Sequence, residues 1–110
     1  VLMRLRSRRS EEFLIRVIDL FLVEAPFRLE EAWLGGRSGD MRLVALTSHF
    51  LACLAGNVGA VTVRALALRA EAAADAGDAA RELSVLLYDL EVAFAEARAC
   101  LQDARRGLPL

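Results

Sequence analysis

The chain has 110 residues, 56% of them hydrophobic and 26% charged, with a formal net charge of −1. That length holds one domain with one core, and the composition excludes a disordered chain. The near-neutral charge excludes a broad nucleic-acid surface, and Cys53 and Cys100 stand too far apart for a disulfide framework or zinc-ligand spacing.

Alanine, leucine, arginine and glutamate dominate, and all four favour helix. With two prolines and seven glycines in the chain, an all-α fold follows. Every basic residue is arginine, so no lysine serves as a Schiff-base former or phosphate anchor.

Residues 1–10 form a basic N-terminal extension or linker carrying Arg4, Arg6, Arg8 and Arg9, with a short extra helix as the alternative. The apolar run that follows is flanked by Arg16 and Glu24 and preceded by Glu11 and Glu12, which does not fit a signal peptide. The domain proper is expected over residues 11–106.

Ser10 is placed to cap the first helix, with Glu11 and Glu12 in its first turn where the helix dipole favours carboxylates. Phe13, Val17, Leu20, Phe21 and Glu24 step by three and four, and Leu14, Ile18 and Leu22 widen the stripe. Pro26 bends the axis, helical spacing resumes from Phe27 to Leu34, and Gly35–Gly36 are expected to end the helix. Asp40 caps a second helix over 41–55, with a kink or short break near Gly56 to Gly59. A third helix is expected over 58–76, ended by Gly77. Asp78 then caps a fourth over 79–104, with Leu83, Leu86, Leu87, Leu90, Phe94, Ala97 and Leu101 inward. Four amphipathic segments joined by short turns predict an antiparallel up-down four-helix bundle. The alanine-rich stretch 65–80 implies close helix approach, and a homodimer interface is the alternative use of the apolar surface. There is no repeat and no heptad seam long enough for a coiled coil.

Leu43 to Val63 carries no charge and is long enough to span a bilayer. It also contains Thr47, Ser48, His49, Asn57 and Thr62, which are expensive in lipid, so a core helix is the expected reading.

His49 is the sole histidine. On a helical wheel at about 100° per residue, Leu43, Thr47, Phe50 and Leu54 group as the core face, flanked by Leu51 and Val58. Arg42, Ala45, His49, Ala52, Cys53 and Gly56 fall on the other side. A histidine ringed by small side chains stands clear of its helix, where a partner with a concave site can reach its ring. No nucleophile elbow, Walker loop or zinc-protease motif accompanies it. Acid–base or hydrolytic catalysis therefore lacks its parts. A neutral imidazole is itself a nucleophile and accepts a phosphoryl group if a partner supplies the metal and the charge stabilisation.

The run His49-Phe50-Leu51-Ala52-Cys53-Leu54-Ala55-Gly56-Asn57-Val58-Gly59-Ala60 resembles the signature of histidine-containing phosphotransfer (HPt) domains, the four-helix modules of two-component phosphorelays. His49, Leu51 and Gly59–Ala60 match it. Leu20-Phe21-Leu22-Val23-Glu24-Ala25-Pro26 looks like the family's bent helix, followed by Arg28, Leu29 and a Gly39–Asp40 turn, so the likeness covers about residues 11–104. Two positions depart from it: Ala52 stands where the family has a lysine, and Cys53 where it has a glycine. Arg42, two turns back, is the candidate replacement cation.

The resemblance implies that His49 is the phosphoacceptor, receiving a phosphoryl group from a receiver-domain aspartate and passing it to another receiver. Arg42, Ala45, Leu46, Ala52, Cys53 and Gly56 would dock the partner, with Phe50 inward. It implies a carrier and interaction domain rather than an enzyme, cytoplasmic, either free or within a hybrid histidine kinase. No cofactor or metal is implied in this chain, and Mg2+ is expected only in the partner receiver. The alternative is a degenerate docking module that binds receiver or kinase domains without efficient transfer, since Ala52 removes a charge and Cys53 adds bulk.

Overall fold

The computed structural model describes residues 8–77 and 80–109. Four α-helices account for most of them: α1 (Arg8–Ser38), α2 (Met41–Val58), α3 (Val61–Asp75) and α4 (Ala80–Arg106). No strand occurs among the described residues. Each helix packs on the next, and α1 also packs on α4. The molecule measures 49 × 19 × 19 Å, and a 31-residue helix such as α1, at about 1.5 Å per residue, spans most of its long axis.

The chain punctuation explains most of the helix boundaries. Gly39 and Gly59 adopt left-handed φ values of 76° and 72°, a region open to glycine at little cost. After each glycine the next backbone N–H reaches back five residues: Asp40 N to Gly35 O at 2.8 Å, and Ala60 N to Ala55 O at 2.9 Å. That closure satisfies carbonyls the ending helix would otherwise leave open. Asp40 then starts α2, its carboxylate accepting from Leu43 N at 3.0 Å. Gly77, with φ 68°, follows α3; the expected Asp78 cap and residues 1–7 of the expected 1–10 extension lie outside the described residues, while residues 8–10 belong to α1.

Three boundaries differ from expectation. α1 is already helical at Arg8, so Ser10 lies inside its first turn rather than before it. Gly35–Gly36 do not end α1, which continues to Ser38. Their smallness serves packing instead: a Cβ on Gly35 would lie 3.0 Å from Asp40 O and Val44 Cγ2, and one on Gly36 would lie 3.3 Å from Leu87 Cδ1. Finally, α2 runs through Gly56 and Asn57 to Val58, so the expected break falls at Gly59 and α3 starts at Val61 rather than at residue 58. Pro26 sits within α1, where its missing N–H leaves one helix hydrogen bond unmade.

The core joins Phe21, Leu29, Val44, Leu51, Leu54, Val63, Leu83, Leu87, Leu90 and Phe94 with many alanines. Phe21 and Phe94 meet as tilted rings 5.6 Å apart. The α3 contribution is mostly Ala67, Ala70, Ala73 and Ala74, which let neighbouring backbones approach closely. Of the described helices, α2 is the one long and apolar enough to cross a membrane, and 39% of that window is buried inside the protein.

Candidate functional site

His49 projects from the middle of α2 with its side chain 58% exposed. Its ring is held on both edges. Glu71 of α3 approaches Nδ1 with Oε2 at 3.1 Å and Oε1 at 3.3 Å. Cys53, one turn further along α2, places Sγ 3.8 Å from Nε2. A carboxylate only accepts hydrogen bonds, so the neutral ring carries its proton on Nδ1 toward Glu71. The lone pair is then on Nε2, the nitrogen beside Cys53.

Arg42, Ala45, Leu46, His49 and Glu71 line one shallow pocket of about 440 Å3. Two larger clefts, of about 630 and 720 Å3, border α4 and contain neither histidine nor cysteine. The structure thus brings Arg42, Ala45 and Leu46 together around His49. Cys53 and Gly56 are also exposed, further along the same helix. Gly56 lies under the Arg64 side chain, since a Cβ there would stand 3.5 Å from Arg64 Cδ and Nε.

Two expected positions change. Ala52 is only 3% exposed and joins the core, so it cannot form part of a docking surface. Phe50 does not point inward: it is 47% exposed, with the Arg28 guanidinium 4.7 Å above its ring. Arg28 is itself fixed by Glu31 at 2.8 Å and Glu24 at 3.3 Å, and its pKa is raised, chiefly by the Glu31 hydrogen bond. The buried face of α2 is Val44, Thr47, Ser48, Leu51, Ala52, Leu54 and Ala55. Phe50 instead lies on the side of α2 toward α1, beneath the Arg28 guanidinium.

Glu71 and Arg64 were not among the residues the sequence singled out. They lie seven apart on α3, hence on one face. Counting equally outward from the Gly59–Ala60 turn reaches His49 on one side and positions 70–71 on the other, and reaches Gly56 and positions 63–64. That symmetry about the turn was the available signal.

The three groups do not make a metal site. Glu71 and Cys53 hold opposite edges of the imidazole, and no metal-binding cluster occurs among the described residues. What the arrangement offers is a solvent-facing ring with a fixed tautomer, flanked by one acid and one thiol, with Arg42 in the same pocket and Arg64 further along over Gly56. Comparisons with family models, with curated proteins and with solved structures find no match for this chain.

Proposed function

We propose that this chain is a histidine phosphotransfer module in which Nε2 of His49 takes a phosphoryl group from a receiver-domain aspartate and returns it to another receiver. The observation that carries the reading is the exposed ring with Nδ1 engaged by Glu71, which leaves Nε2 as the nucleophile. As the Nε2–P bond forms, the P–O bond of the aspartyl phosphate breaks and the receiver regains its carboxylate. The proton stays on Nδ1, where the Glu71 carboxylate offsets the positive charge that develops on the ring. The receiver supplies Mg2+ and the remaining charge stabilisation.

The docking surface is Arg42, Ala45, Leu46, Cys53 and Gly56, without Ala52. Arg42 and Arg64 are the cations available to a phosphorylated, acidic partner, in place of a lysine at position 52. An antiparallel up-down bundle suits this role, because it presents the middle of α2 away from the chain ends. Paired contacts support it: His49 with Glu71, Gly56 with Arg64, and Asp19 with Arg105 at 2.9 Å. The setting is cytoplasmic, as a free protein or as one domain of a hybrid histidine kinase.

One observation favours a second reading. The Cys53 thiol beside Nε2 occupies space that a glycine would leave to the incoming phosphoryl group. A docking module that binds receivers or kinases with little transfer would tolerate that crowding. The test is incubation with a phosphorylated receiver. Transfer gives an acid-labile phosphoprotein that is absent in His49→Gln; binding without phosphate, persisting in His49→Ala, selects the second reading.

A further inference from the structure

The outer face of α1 carries a stripe that the fold does not use. Phe13, Leu20, Phe27 and Leu34 are all exposed, and they recur every seven residues. Seven residues bring a helix back to nearly the same angle, so the four form a seam about 32 Å long at 1.5 Å per residue. The seam lies opposite the buried stripe of Ile18, Phe21, Ala25, Leu29 and Ala32. It is continuous with exposed Val23, whereas single exposed apolar residues elsewhere are ordinary.

We propose that this face binds a second copy of the chain, with the two α1 helices antiparallel about a twofold axis between residues 23 and 24. The seam is self-complementary in that orientation. A residue at position n lies within about a residue or two of position 47 − n of the partner, so Phe13 meets Leu34, Leu20 meets Phe27, and Val23, beside the axis, lies near its own copy. Charge selects the direction. Glu12, Arg16, Glu30 and Arg37 are exposed along one flank of the seam. Antiparallel pairing sets Arg16 against Glu30 and Glu12 against Arg37, each twice by symmetry. Parallel pairing would bring this flank against the partner's opposite flank and lose these opposite-charge pairs. On the other flank Glu24 approaches its own copy, but each is already paired with Arg28.

The seam lies on α1, whereas the His49 pocket is lined by α2 and α3, so the inference does not depend on what His49 does. A single helix pair falls at or below the roughly 800 Å2 per partner of a typical stable interface, so the dimer dissociates on dilution.

Sedimentation velocity over a micromolar to submillimolar series tests the inference. The expected result is a shift from one to two protomer masses with concentration. Leu20→Glu with Phe27→Glu abolishes the shift while leaving the circular dichroism spectrum unchanged. Arg16→Glu weakens association about tenfold by opposing two carboxylates at two symmetric places, and adding Glu30→Arg to it restores association. Orientation is read in a Cys53→Ser, Cys100→Ser background: Val23→Cys forms a disulfide-linked dimer and Phe13→Cys does not. A chain monomeric throughout the series, a dimer surviving the double glutamate variant, or equal cross-linking at positions 13 and 23 would each overturn the proposal.

Discussion

Replacing Glu71 tests the tautomer argument at its root. Glu71→Ala removes the acceptor 3.1 Å from Nδ1, and Glu71 is a half-buried residue outside the hydrophobic core. A hydrogen bond of this kind is worth about 0.5–1.5 kcal/mol. His49 is exposed and Glu71 half-buried, with side chains 58% and 26% accessible, so solvent screening holds the value to about 1 kcal/mol or less. At roughly 1.4 kcal/mol per decade, transfer to His49 should slow about two- to fivefold. Glu71→Gln keeps a carbonyl acceptor for Nδ1–H and should lose about half as much free energy. The assay is single-turnover transfer from a phosphorylated receiver, alongside imidazole 15N chemical shifts. The shifts report the tautomer without reference to function: the proton sits mainly on Nδ1 in the native chain and redistributes in Glu71→Ala. A Glu71→Ala protein with native shifts and native transfer refutes the reasoning.

The other predictions concern the crowded edge of the ring and the turns that position α2. In a Cys100→Ser background, maleimide alkylation of Cys53 blocks transfer to His49, because the adduct fills the space beside Nε2; transfer unaffected by full modification contradicts the assignment of Nε2. Asp40→Ala removes the carboxylate cap on Leu43 N and costs about 1 kcal/mol in denaturant unfolding. Gly35→Ala costs about 1–3 kcal/mol, because its Cβ meets a backbone oxygen and Val44 at 3.0 Å; a neutral result shows that α1 and α2 part freely there.

The four helices were legible because their signals agree with one another. Apolar residues recur at helical spacing, Asp40 caps α2, and Gly59 and Gly77 take the left-handed conformation that follows a helix. Gly35–Gly36 were ambiguous for a physical reason: glycine marks both helix ends and close backbone approach, and here it does the second. The face of α2 was harder. Apolar residues surround the helix, so the wheel grouped Phe50 with Leu43, Thr47 and Leu54 on the core face. The buried face instead includes Ser48, Ala52 and Ala55. His49 stood out as the sole histidine, but its partner Glu71 is one of many surface carboxylates and is marked only by its register across the Gly59–Ala60 turn. The exposed seam on α1 was hidden in the same way: Phe13 and Leu20 share helical spacing with buried Val17 and Phe21, and the sequence pattern alone assigned all of them to one stripe.

The most direct test of the central claim is to phosphorylate a receiver domain, mix it with this chain, and follow the phosphoryl group. The expected product is a phosphoprotein that is labile in acid and stable in base, with the modification at Nε2 of residue 49 and none in His49→Gln. No phosphate on the native chain from any receiver encoded alongside it, or an unchanged level in His49→Gln, would contradict the claim.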